Sequence, residues 1–225
     1  MPASLVAKEE VSINEAWNAV LAHLPTLLLT WVASVMIGIV AYVSSMIALG
    51  IFSALDSSDS GTIVALIRSQ LVNIPLNIFA QFVGILFVAV PALYYAMGEI
   101  VTPGAAFAML FSRPMRYLGA GFLFAIAVTV GTLFCIVPGI AVALTMPVFV
   151  NKVFTTNMAV VDAFSSSFSA VYKGEAGWSF VGVQILAYLC VIVISICTCG
   201  IGALVALPVS TFYVQHSAYS KGIVS

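Results

Sequence analysis

Long stretches of this chain carry no Asp, Glu, Lys or Arg, and the short stretches between them alternate apolar and polar positions at helical spacing. The first uncharged run extends from Pro25 to Leu55; a second apolar run, which contains Arg68, begins near Thr62 and closes near Met97. Others cover Tyr117 to Val137, Gly139 to Asn151, Trp178 to Ile196 and Gly200 to Val214. Roughly 20 apolar residues suffice for a helix to cross a bilayer. The pattern therefore predicts six spans, near 25–55, 75–97, 117–137, 139–154, 178–196 and 200–216. Pro75 interrupts the second run, so the part before it is expected in the interface and the part after it across the membrane. The fourth run is short and needs its helix to extend past Lys152 or the bilayer to thin locally. Asp56 to Gly61 reads as a polar turn outside the hydrocarbon.

The shorter stretches have the other pattern. Ser12-Ile13-Asn14-Glu15 has capping-box spacing, in which the Ser side chain and the Glu carboxylate each satisfy a free amide at a helix start. Ile13, Ala16, Trp17, Val20, Leu21 and Leu24 then recur at three-and-four spacing, with Asn14, Glu15, Asn18 and His23 on other faces. Such a helix is expected to lie in the interface with Trp17 at headgroup depth. Thr102-Pro103 opens a second with a capping hydroxyl and Pro at the first helical position. Its apolar face is Phe107, Leu110 and Phe111, and Arg113 and Arg116 close it. In the third, Val161, Phe164, Phe168 and Val171 share a face while Asp162, Ser165, Ser166 and Ser169 lie off it. INEAW, PGAAF and VVDAF align across the three, and each precedes a long apolar run. The fold class expected is an all-α integral membrane protein: six transmembrane helices as three hairpins, each preceded by a short amphipathic interfacial helix, near 12–24, 102–114 and 158–172. The whole of 1–225 then forms a single polytopic membrane domain.

A second repeat supports this. FCIVPGIAVALTMP at Phe134 to Pro147 returns as CTCGIGALVALPV at Cys197 to Val209. Pro138 and Gly139 in the first copy, and Gly200 and Gly202 in the second, are expected to form the hairpin turns, because Pro and Gly supply conformations that a continuing helix refuses.

Composition changes the picture in two ways. The chain of 225 residues is 63% hydrophobic and 7% charged, against roughly 25% charged in soluble domains. Its net charge of −1 gives no basic field, which argues against nucleic acid as a partner. The first twelve residues lack the basic start and small-residue cleavage site of a secretory signal, so the first apolar run is expected to be a retained anchor. Lys8, Arg113, Arg116, Lys152, Lys173 and Lys221 fall on one side of the six-span arrangement and Arg68 on the other. The positive-inside rule then puts both termini and all three short helices in the cytoplasm.

The PGI at Pro138 to Ile140, the AF-and-Ser segment at Ala163 to Ser169, the Lys-Gly-aromatic stretch at Lys173 to Trp178 and the final GIG-to-Pro hairpin ending in Ala218-Tyr219 carry a resemblance. From Val101 onward the chain resembles the membrane domain of bacterial glycerophosphoryl diester phosphodiesterases and stand-alone six-helix inner-membrane proteins. The resemblance implies a six-helix fold and a place in the bacterial inner membrane. It implies no phosphodiesterase activity, because the soluble barrel that carries those catalytic residues has no counterpart in this sequence.

Candidate chemistry is sparse. Gln70, Asn73, Asn77 and Gln81 occupy one face of the second span, with Gln184 of the fifth as a plausible partner. Amides are costly against lipid, so this stripe reads either as a polar pathway or as interhelical hydrogen bonding worth roughly 0.6 kcal/mol a pair; the second reading is preferred. Glu99, Arg113 and Arg116 lie together near the cytoplasmic face, as a solvated charge group or a phosphate-binding corner. His23 and His216 lack a third ligand at metal spacing, so no metal and no cofactor is expected. Cys135, Cys197 and Cys199 near the outer turns read as small packing residues before they read as a disulfide. Gly38, Gly119, Gly121 and Gly131 suit close helix approach. No nucleophile triad, nucleotide loop or HExxH is present, so an enzyme is not expected. The expected role is that of a scaffold or accessory subunit binding membrane lipids, other integral membrane proteins or a larger complex. The alternative is a transporter or channel for a small or amphiphilic solute.

Overall fold

The structure, a computed structural model, describes residues 11–55 and 61–224, with the side chains of 55, 61–63, 65–68 and 70 outside that description. Of the predicted polar turn from Asp56 to Gly61, residues 56–60 lie outside the described residues and Gly61 opens a helix; Lys8 and the side chains of Arg68 and Gln70 lie outside them too. Everything regular among the described residues is helical: α1 (Ile13–Ala22), α2 (Leu24–Leu55), α3 (Gly61–Gly84), α4 (Leu86–Met97), α5 (Pro103–Ser112), α6 (Pro114–Phe134), α7 (Ile136–Ala143), α8 (Met146–Thr155), α9 (Val160–Tyr172), α10 (Gly177–Cys197) and α11 (Ala203–Ser220). Five segments are long and apolar enough to cross a membrane by length and composition: Leu24–Ala54, Leu71–Met97, Pro114–Phe134, Ile136–Thr155 and Gly177–Cys197. The chain is thus an all-α protein with the makings of a multi-pass membrane protein. α11 is not one of the five, because Gln215, His216, Ser217 and Tyr219 in its second half lower its hydropathy. These side chains are buried.

Burial of the five segments alternates along the chain, at 11, 44, 11, 50 and 17%. A helix apolar on all sides and buried on few offers its surface to lipid or a partner, which describes α2, α6 and α10. The better-buried segments end in α4 and α8, which contact each other and α11. α4, α8 and α11 therefore form an inner trio, and α11 has α1 and α10 against its other faces.

The chain divides into two compact units. In residues 28–84, which hold most of α2 together with α3, Ser44 Oγ donates to Asn73 Oδ1 at 2.7 Å and ties the two helices together. α3 runs through Pro75 without a break, and the segment apolar enough to cross, Leu71–Met97, begins one turn before that residue. Pro inside a membrane helix is tolerated where neighbouring groups meet the freed carbonyl. The other unit, residues 1–27 and 85–225, holds α1 and α4–α11.

The three short helices of that unit start at the aligned sequence positions, Ile13, Pro103 and Val160. Ser12 caps α1, its side chain accepting from Glu15 N at 3.1 Å, and Thr102 caps α5, accepting from Ala105 N at 3.4 Å. α9 has no side-chain cap. The fourth residue of each repeat, Ala16, Ala106 or Ala163, is completely buried, and the residue one turn later, Val20, Leu110 or Ser167, is buried too. The aromatic that follows each Ala is not: Trp17 is exposed, and Phe107 and Phe164 are half-buried. The face that docks is therefore the small one.

The first of the two turns differs from expectation. The reversal between α6 and α7 is made by Cys135 alone, in extended conformation, and Pro138 and Gly139 sit in the first turn of α7. Gly139 is needed for proximity: a Cβ there would run into the Thr132 side chain and backbone of α6. Gly131 faces the same crossing, where an added Cβ would come within 3.0 Å of Gly139 N, whereas a side chain at Gly38, Gly119 or Gly121 would meet nothing within 4 Å. In the second copy the turn lies at Cys199 and Gly200, both left-handed, with φ 51° and 91°. Gly202 closes it, its N–H donating to Thr198 Oγ1 at 2.7 Å. Pro138 has a ring that forbids such a conformation, so the two sequence copies make different turns.

Candidate functional site

Polar side chains buried in the α1, α4–α11 unit concentrate where the inner trio meets the short helices. Tyr219 of α11 is the junction: Asn151 Nδ2 of α8 donates to its hydroxyl at 3.0 Å, and the hydroxyl lies 3.4 Å from Ala92 O of α4. Asn151 Nδ2 also donates to Gln215 Oε1 at 3.3 Å, and Gln215 Nε2 donates to Pro147 O at 2.8 Å. Asn151, Gln215 and Tyr219 are all buried, and between them they join three helices. Buried amides in such surroundings are stable only when paired, and here each pairs with another helix.

His23, at the end of α1, is completely buried. Its Nδ1 lies 2.7 Å from Ala19 O, and its Nε2 accepts from Val101 N at 3.1 Å. These bonds fix the neutral tautomer with the proton on Nδ1. Burial pushes the His23 pKa below its ordinary value, and the Ala19 bond opposes that shift. Thr26 Oγ1 donates to Val101 O at 2.7 Å, so both backbone groups of Val101, just before α5, are met from the α1 end. The next repeat makes the same kind of stitch with different chemistry. Arg113 Nη1 donates to Asn157 Oδ1 at 2.6 Å and Arg116 Nη2 to Thr156 O at 2.8 Å, both just before α9. His216 stacks on Tyr95, ring centroids 4.7 Å apart, and its Nδ1 is 3.6 Å from Glu15 Oε2 of α1. Glu15 therefore faces α11 through its carboxylate while its amide is held by Ser12.

The amide stripe does not stay together. Asn73 is buried and bonded to Ser44; Asn77 and Gln81 are exposed; the side chain of Gln70 is outside the description. Gln184, in the other unit, is completely buried, and neither of its amide atoms has a hydrogen-bond partner among the described residues. One turn further along α10, Tyr188 borders a cavity of about 10 Å³ together with Val88, Met146, Pro147, Ser210 and Val214. That is about the space one water needs. Glu99 lies in the connection between α4 and α5, with no ion pair to Arg113 or Arg116 among the described residues. Cys135, Cys190, Cys197 and Cys199 are exposed and free.

Sequence reasoning missed Asn151, Gln215 and Tyr219. The signal was there, since Asn151 and Gln215 are amides inside the expected spans 139–154 and 200–216, as Gln184 is inside 178–196. His23 was assigned to a face away from the docking side and is instead its most buried polar group. Compared with protein-family models, curated proteins and solved structures, the chain matches none.

Proposed function

We propose that this chain is a non-catalytic, six-span protein of the bacterial inner membrane, a scaffold or accessory subunit that binds lipid or a larger membrane complex. In this reading α11 is the sixth crossing, its polar groups shielded by α1, α4, α8 and α10, the three short helices lie in the cytoplasmic interface, and the resemblance to the membrane domain of glycerophosphoryl diester phosphodiesterases is one of architecture. One observation carries it. The buried amides of the inner trio are spent on joining helices, from Asn151 to Gln215 and Tyr219, and from Gln215 to Pro147. Polar groups committed to one another support an assembly role, since a solute path needs such groups turned toward a space. α2, α6 and α10 meanwhile offer wide apolar surfaces to lipid or partner helices.

The transporter reading draws on Gln184, buried with an unsatisfied amide one turn from the small cavity. Two measurements separate the readings. Purification from native membranes is expected to bring down a stoichiometric membrane-protein partner, and proteoliposomes are expected to pass glycerol and urea no faster than empty ones. Flux that Gln184→Leu abolishes at unchanged thermal stability would establish the transporter instead.

A further inference from the structure

The stitch between α5 and α9 differs from the one between α1 and α5 in what it leaves over. At His23 every polar atom is consumed and the ring is neutral, whereas Arg113 and Arg116 bring two permanent positive charges to neutral partners, an amide oxygen and a backbone carbonyl. No carboxylate lies within ion-pair distance of either arginine among the described residues, and Arg116 Nε is buried with no acceptor. An unmet donor on a charged group is among the costlier things to bury.

Beside them opens a cleft of about 220 Å³, lined by Ser112, Arg113, Tyr117, Thr155, Thr156 and Asn157. Among the described residues its polar wall holds an amide, a guanidinium and no acid, and its Ser and Thr hydroxyls donate to backbone carbonyls, Ser112 to Met109 O, Thr155 to Asn151 O and Thr156 to Lys152 O. The C-terminal carbonyls of α8 nearby disfavour an anion, but Thr156 O is already met by Arg116 and Lys152 O by the Thr156 hydroxyl. The cleft is smaller than the roughly 300–1,000 Å³ that encloses a drug-sized ligand, so it suits a head group more than a whole molecule. It sits where α6 begins and α8 ends, the termini of two membrane-crossing segments, and Phe111 and Met115 beside it are exposed, Met115 by 81%.

We infer that this cleft binds a phosphate group, held by the guanidinium of Arg113 and the Asn157 amide N–H, with the charge of Arg116 behind them at Thr156. Planar guanidiniums match phosphate oxygens in geometry as well as charge, and exposed apolar residues at the same level suit a phospholipid whose chains continue into the bilayer. The inference rests on the reading of this chain as a lipid-binding membrane bundle and names the chemistry of one ligand. It does not depend on a protein partner, so the co-purification experiment and the one below fail independently.

The test is native mass spectrometry of the detergent-solubilised protein with equal phosphatidylglycerol and phosphatidylcholine, beside calorimetric titration with inorganic phosphate and glycerol 3-phosphate. The wild type is expected to retain phosphatidylglycerol over phosphatidylcholine, with retention about tenfold weaker for each arginine replaced by Gln. Arg113→Lys keeps the charge without the planar fork and is expected to fall between, whereas Arg116→Lys, set back from the cleft, is expected to bind as the wild type does. Binding of the soluble phosphates with the same arginine dependence, in the absence of lipid preference, assigns the cleft to a free phosphate compound. Lipid retention and phosphate binding both unchanged in Arg113→Gln and Arg113→Gln/Arg116→Gln would overturn the site, as would the absence of any phosphate-dependent binding in the wild type. Arg113→Gln alone decides the matter if the double variant does not fold, because Arg113 is exposed and its bond reaches only a side chain.

Discussion

Both ring nitrogens of His23 are committed, one to its own helix and one to Val101, and that commitment has a pH consequence. Its folded pKa lies below the ordinary value, so between the two values the unfolded chain binds more protons than the folded one. The His23 contribution is therefore present above about pH 6.5 and lost as pH falls toward the folded pKa. Thermal stability in detergent should drop between pH 7.5 and 5, and His23→Gln should flatten the part of that slope due to this residue. His23→Ala leaves Val101 N–H buried without an acceptor and should cost about 1–3 kcal/mol at neutral pH. The amides make a second case. Asn73→Leu breaks the bond to Ser44 and should cost roughly 0.6–1.7 kcal/mol, with a coupling of that size to Ser44→Ala in a double-mutant cycle. Asn77→Leu, at an exposed position, should cost nothing measurable in detergent. Helical spacing put Asn73, Asn77 and Gln81 on one face correctly as a matter of geometry. It carries no information on which of them meets another helix, and so the Ser44 partner was not legible.

At the scale of elements, the starts of the short helices were legible because caps are local: Ser12 and Thr102 bond within their own first turn. Which face docks was not, because periodicity weights large apolar residues while close packing selects small ones. Ala16, Ala106 and Ala163 are the buried repeat positions, and Leu at any of them should overpack the contact and cost about 1–3 kcal/mol. Trp17→Ala should be tolerated far better in detergent, since the ring is on the outside; thermal unfolding of the four variants side by side checks both statements. The first hairpin turn was misplaced for a similar reason, while Gly200 and Gly202 lie in the second as expected. Pro and Gly mark places where a helix is discouraged, yet Pro is at home in a first helical turn, and one extended residue, Cys135, suffices to reverse the chain. Gly139→Ala should therefore loosen the crossing of α6 and α7 through its clash with Thr132, leaving the reversal at Cys135 intact.

At the scale of the molecule, the long apolar runs announced a membrane protein, and five of the six expected spans have helices fit to cross. The helix expected as the sixth, α11, is less apolar, but α1, α4, α8 and α10 pack on it, and a helix enclosed by protein can carry Gln215, His216 and Tyr219 where a lipid-facing one cannot. The account stands on α11 crossing the membrane nonetheless, with its C-terminal end on the same side as the short helices. Site-directed thiol labelling decides this directly. With the four native cysteines replaced by Ser, single cysteines at Asn18, Asn157 and Ser220 are treated with an impermeant reagent in intact cells and in inverted vesicles. The account predicts that all three react only in inverted vesicles, and that Cys199, restored alone, reacts in intact cells. Labelling of Ser220→Cys in intact cells, on the same side as Cys199, would mean that α11 does not cross and would contradict it.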